Sequence, residues 1–123
     1  MAEIKIKRAY EPPALEDDTR ILVDRLWPRG KTKASLELHS WAKAMAPSNE
    51  LRKTFGHMAD KFDQFVAAYH MELNSNPASP SFVQDIKEAL KNGNVTLIYG
   101  AKDEEHNQAL VLKAWLEEKF GTQ

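Results

Sequence analysis

Apolar and charged positions alternate at the start of the chain, where Ile4 and Ile6 interleave with Lys5 and Lys7. This is the two-residue period of a half-buried strand. A polar loop with Pro12 and Pro13, then Glu16, Asp17 and Asp18, separates it from Ile21, Leu22 and Val23. Three consecutive β-formers suit a strand covered on both faces, so a second strand is predicted over 19–26. Between Lys31 and Met45 the pattern is mixed. Leu36, Leu38 and Ser40 alternate with Glu37 and His39, whereas Trp41, Ala44 and Met45 have helical spacing; a short third strand is the expectation. Ser48 follows Pro47 as the N-cap of a short helix carrying Leu51 and Arg52, which Gly56 ends. Phe62, Phe65, Val66, Tyr69 and Leu73 then trace one face of a longer helix, with Asp60, Lys61, Asp63, Gln64 and Glu72 elsewhere on its surface. Ser79 is the expected N-cap, with Pro80 at the first helical position, of a helix through Phe82, Val83, Ile86, Ala89 and Leu90 that stops at Asn92-Gly93. Val95 to Tyr99 reads as a buried strand, and Gly100 to Asp103 leads into a last helix with Leu110, Val111, Leu112, Trp115 and Leu116, for which Asp103 is the expected N-cap.

Strands separated by helices predict an α/β fold: a single three-layer sandwich whose small, mainly parallel sheet of about four strands is flanked by helices, the third strand's direction being open. At 123 residues the whole chain, 1–123, is expected to be one domain. The absence of cysteine removes thiol nucleophiles, thiolate metal sites and disulfides together, and fits a reducing, cytoplasmic location. The alternating N-terminus lacks the apolar core of a secretory signal, and no apolar run approaches the roughly 20 residues that span a bilayer. A net charge of -1 offers no general attraction to nucleic acid or to anionic lipid. Lys5, Lys7 and Arg8 form too small a basic cluster for a nucleic-acid footprint. Neither nucleic acid nor membrane is expected as a partner.

Candidate chemistry concentrates in Arg20 to Gly30, where the apolar strand runs into Asp24, Arg25, Trp27 and Arg29 and is closed by Pro28 and Gly30. If this strand and the Val95–Tyr99 strand are parallel, their C-terminal ends meet at the edge where open parallel sheets bind ligands. Asp24, Arg25, Trp27 and Arg29 then lie near Tyr99, Lys102, Asp103, His106 and Asn107. The arginines and the lysine supply fixed donors for a carboxylate or phosphate, and Trp27 and Tyr99 supply flat apolar walls. Asp103, Glu104 and Glu105 crowd the start of the last helix and would repel a second anion there. The competing reading makes Asp24 and Arg25 an internal lock, Trp27-Pro28 a packed corner and Gly30 a left-handed turn. Trp41 and Trp115 read as core. His57 and His106 are the candidate proton-transfer residues, because histidine titrates near neutrality. His39, His57, His70 and His106 show no metal-binding spacing, and no glycine-rich phosphate loop, dinucleotide fingerprint or nucleophile elbow is present. No metal and no cofactor are expected.

These residues are similar to the YeaO-like family of small bacterial proteins of unknown function. The resemblance rests on Lys7-Arg8-Ala-Tyr10 with Pro13, Val23-Asp-Arg-Leu-Trp-Pro-Arg-Gly30, Ala46-Pro-Ser48 with Glu50-Leu-Arg52, Phe55-Gly-His57, and Tyr99 through Asp103-Glu-Glu-His-Asn107, in the family's order. It covers nearly the whole chain. The resemblance implies a compact cytoplasmic α/β domain, brings no established reaction, and adds Arg8, Tyr10, Arg52 and His57 to the strand-two cluster. A wider set of relatives carries a cysteine in the last strand and a Cys-His-Arg at the start of the helix. Here Tyr99 and Asn107-Gln-Ala109 stand in those places, so a thiol mechanism does not transfer.

The resulting expectation is a pocket for a small anionic metabolite at the strand C-terminal edge, with binding and catalysis both open. Its binding residues would be Arg8, Asp24, Arg25, Trp27, Arg29, Arg52, Tyr99, Lys102 and Asn107, with His57 or His106 as acid or base. The alternative is a non-enzymatic interaction domain, in one version a homodimer, that presents Trp27, Pro28 and the arginines to a protein.

Overall fold

The computed structural model describes residues 2–56 and 58–120. Its sheet has four strands, β1 (Ile4–Arg8), β2 (Thr19–Leu22), β3 (Ser40–Trp41) and β4 (Val95–Tyr99), in the order β1-β4-β2-β3. Every pair is parallel, and Val95 stands opposite both Ile4 and Thr19. The α/β class is as the sequence predicts, and the direction of β3 is now fixed. The last strand in the chain is thus an inner one, between β1 and β2, and all five of its residues are buried.

The period of two divides the sheet's side chains between its faces. Ile21, Val23, Val95, Leu97 and Tyr99 meet α2 (Asn49–Phe55), α3 (Phe62–Ser75), α4 (Ser79–Leu90) and α5 (Gln108–Lys119) through Phe55, Phe65, Tyr69, Ile86, Leu112 and Leu116. Leu22 and Ile98 point the other way, onto Ala9, Trp27 and Leu36 of the four-residue helix α1 (Lys33–Leu36). That second face is partly polar. Arg20 gives Nη1 to Asp17 Oδ2 at 2.6 Å and Nε to the Leu36 carbonyl at 2.9 Å, Lys7 Nζ reaches Asp17 at 2.9 Å, and Thr96 Oγ1 donates to the Asp17 carbonyl at 2.9 Å. Burial alone would raise the Asp17 carboxyl, but the bonds from Lys7, the Ala14 amide and Arg20 outweigh it and hold the pKa below its usual value. Among the described residues no helix is long and apolar enough to cross a membrane.

Five local expectations need correction. Ser79 is the first residue of α4 and not its cap, because its hydroxyl donates to the Leu73 carbonyl and Ala78 takes the cap position. The segment read as a third strand begins as α1, because Thr32 Oγ1 accepts from the Ser35 amide at 3.0 Å while Ser35 Oγ accepts from the Thr32 amide at 2.9 Å, closing a helical turn. Only Ser40 and Trp41 remain extended. The second strand ends at Leu22, not Leu26, although the Val23 amide still donates to Ile98 at 3.0 Å. The last helix starts at Gln108 with Asn107 as its N-cap, whereas Asp103 Oδ1 accepts from the Glu105 and His106 amides in a separate turn. Trp41 is 37% exposed and not core, lying edge-on to Trp27 with ring centroids 5.5 Å apart. Trp115 is buried, as expected.

Candidate functional site

Beyond Val23 the chain leaves the sheet, and strand alternation stops with it. Asp24 and Arg25, which would point to opposite faces in a continuing strand, instead line one cavity of about 240 Å³ together with Leu26, Trp27 and Pro28. Pro47, Arg52, Phe55 and Phe65 close it on the α2 and α3 side, and Gly100, Ala101 and Gln108 close it where β4 passes into α5. It lies at the C-terminal ends of β2 and β4, the edge at which open parallel sheets bind ligands.

Asp24 is fixed by two donors from the β4–α5 connection. Its Oδ2 accepts from the Gly100 amide at 2.8 Å and its Oδ1 from Gln108 Nε2. A β-carbon on Gly100 would lie 3.0 Å from that oxygen, so a glycine is what lets the carboxylate approach the main chain. Burial raises the Asp24 pKa to about 6 despite the Gly100 and Gln108 bonds and the positive charge of Arg52. The desolvation cost therefore exceeds what the donors return.

The two guanidiniums of the cavity are held by neutral groups. Arg25 donates from Nε to the Pro47 carbonyl at 2.9 Å and from Nη2 to Ala46 at 3.4 Å, and Arg52 donates from Nη1 to Asn49 Oδ1 at 2.8 Å. Among the described residues, the ion pairs closer than 4 Å do not include Asp24, Arg25 or Arg52. The loop that Arg25 grips is held on every side. Asn76 Nδ2 donates to the Ala44 carbonyl at 2.8 Å, the Tyr69 hydroxyl to Met45 at 2.5 Å, and Glu72 accepts from both the amide and the hydroxyl of Ser48. Burial, with Glu72 and Asp24 nearby, pushes the Tyr69 hydroxyl above its ordinary pKa and keeps it a donor.

Residues 3–123 match the model of the family DUF488-N3i, described as the inactive DUF488-N3 subclade. The chain belongs to that family. It is 42% identical over 113 residues to the uncharacterized protein YeaO of Escherichia coli (strain K12), an alignment spanning 92% of this chain and 96% of the relative. It is also 39% identical over 75 residues to the uncharacterized proteins Mb3100c of Mycobacterium bovis and Rv3073c of Mycobacterium tuberculosis, covering 61% of this chain and 64% of each. No solved structure matches. The YeaO-like resemblance read from the motifs is therefore correct.

In this DUF488-N3i chain the candidate residues divide into two groups. Asp24, Arg25, Trp27 and Arg52 come together around the cavity. Arg8 sits behind it, donating to the Ala101 and Gly100 carbonyls at 2.8 and 3.4 Å and lying 5.1 Å from the Tyr10 ring centroid. Arg29 and Lys102 are exposed and outside the lining; Tyr99 is buried in the helix-side core. Asn107 is fully buried and spent as a cap, accepting from the Leu110 amide and donating to the Asp103 carbonyl. His106 is also outside the lining, with Nδ1 2.9 Å from Asp103 Oδ2 and its ring edge-on to Phe62. His57 lies outside the described residues. Among the described residues no group of three His, Asp or Glu could hold a metal ion. Sequence reasoning missed Gln108, Phe55, Phe65 and Pro47. Gln108 was masked by the misplaced helix start, Phe65 read as core because it lies in the apolar stripe of its helix, and Phe55 entered only as part of the resemblance motif.

Proposed function

We propose that this DUF488-N3i protein binds a small anionic metabolite in the cavity at the C-terminal ends of β2 and β4, and that binding, not turnover, is its activity. The observation that carries this reading is the state of the arginines. Two guanidiniums face one carboxylate, and their structural bonds go to carbonyl and amide oxygens, so the protein's own acids leave them a net positive charge. A partly apolar concavity with a few fixed polar groups is the usual form of a metabolite site. The family's description as inactive supports binding without chemistry. A cytoplasmic workplace suits a chain with no cysteine.

Thermal shift against inorganic phosphate, sugar phosphates and mono-, di- and tricarboxylates tests the reading, using wild type and Arg52→Gln. A ligand that binds only the folded state raises the melting temperature by mass action. The expected result is a rise in wild type that Arg52→Gln abolishes while staying folded. Silence across the panel, with amino acids included among the monocarboxylates, would remove the proposal. A protein-facing role has its own support in Leu26, 61% exposed, and the half-exposed Trp41. A dimer in light scattering, disrupted by Trp41→Ala, would favour that reading.

A further inference from the structure

We infer that the ligand is a small zwitterion with an apolar body, an α-amino acid or close analogue, whose carboxylate meets Arg52, whose ammonium meets Asp24, and whose side chain lies against Phe55 and Phe65. The inference rests on the reading of the cavity as a metabolite site and names the class of molecule it takes.

The decisive feature is a pair of opposite charges that share a cavity without meeting. Asp24 and Arg52 both line it, and the positive charge of Arg52 is felt at the Asp24 carboxyl. Yet the two do not close to ion-pair distance, because each is tethered elsewhere: Asp24 to the Gly100 amide and Gln108, Arg52 to Asn49. Opposite charges held apart across a partly dry gap are complementary to a molecule of reversed polarity. A ligand that is only anionic leaves the ionised Asp24 facing unmatched negative charge; one that is only cationic meets two guanidiniums. A zwitterion satisfies both ends.

Size and wall chemistry narrow the class. At about 240 Å³ the cavity is at the small end of ligand sites and suits a small metabolite. Beside Arg52 the α2 and α3 side of the cavity is apolar: Phe55 and Phe65 stack with centroids 4.5 Å apart, and Leu26 and Pro47 line the cavity with them. An aliphatic or aromatic side chain fits there better than a second charged group.

Isothermal titration with L-leucine and L-phenylalanine, their deaminated counterparts 4-methylpentanoate and 3-phenylpropanoate, and their amides tests the inference. At neutral pH at least one amino acid should bind wild type, with its deaminated acid and its amide weaker by about tenfold or more, the value of one lost charge-assisted bond. Asp24→Asn should erase the preference for the amino acid over the deaminated acid, and Arg52→Gln should weaken both. Equal binding of a deaminated acid or of inorganic phosphate, or an Asp24→Asn protein that keeps the preference, would overturn the zwitterion while leaving the anion pocket standing. No binding by any of these compounds or by the anion panel would remove both readings. If either variant fails to fold, the wild-type titrations alone decide.

Discussion

Asp24 holds its charge at a cost to the fold. Its folded pKa, about 6, lies above the ordinary value of 3.8, so the native state binds the proton more tightly than the unfolded chain does. Stability from this group is therefore fully present below the unfolded value, falls as pH rises from about 4 to 6, and is lost above that range. Two pH units correspond to about 3 kcal/mol. Asp24→Asn should be at least as stable as wild type at about pH 7.5, with that advantage shrinking by up to about 3 kcal/mol as pH falls to 4; denaturant melts of both proteins across the range would show it. Taking the difference cancels Asp17, whose lowered pKa acts in the opposite direction. Gln108 can turn its amide to accept from the new Asn, so the substitution keeps a bonded partner. Arg25→Ala removes the donors to Ala46 and Pro47 and should cost about 2 to 3 kcal/mol, measured the same way. The sequence located both residues at a strand end but left open whether they form a lock or line a site. Arg25 both grips the Ala46-Pro47 carbonyls and lines the cavity, and strand periodicity could not reveal it because the strand had already ended.

Among the elements, those with both a periodic apolar face and a chemically marked end were legible. The Ser48 cap, the Gly56 stop with φ 55° and the stripe of α3 all stand where the pattern puts them. The start of α5 did not, because Asp103 and Asn107 are both good caps four residues apart, and local chemistry alone does not choose between them. Tertiary packing does: Asn107 is buried beneath the turn it caps, while Asp103 stays at the surface, where the Glu105 and His106 amides and the His106 ring hold its pKa low. Asn107→Ala should cost about 1 to 2 kcal/mol in denaturant melts, and Asn107→Asp, which keeps the cap oxygen but buries a carboxylate against the Asp103 carbonyl, should cost more. Because Gln108 follows immediately, Asn107→Ala should also loosen Asp24, read as a smaller difference between Asp24→Asn and its parent.

Over the whole molecule, the sheet order was the least legible property, since nothing in a strand's own residues states its neighbours. Val95 to Tyr99 reads as a fully buried strand, and it is one because it lies between β1 and β2. Its amides should be the slowest in hydrogen exchange, near the global limit, while the two-residue edge strand β3 exchanges through local opening. The charged residues of the other edge, Lys5, Lys7 and Arg8, discourage pairing with another chain.

The inner position of β4 also governs how the protein emerges from the ribosome. Until Val95–Tyr99 has cleared the exit tunnel, β1 has no strand to pair with, and β2 can pair only with two residues of β3. Completion of the sheet and assembly of the cavity, which needs Gly100 and Gln108, must wait for these late residues, whereas the earlier helices can form before them. A nascent chain stalled before residue 95 would present an open slot in its sheet, making it a natural client for chaperones that cover unpaired strands.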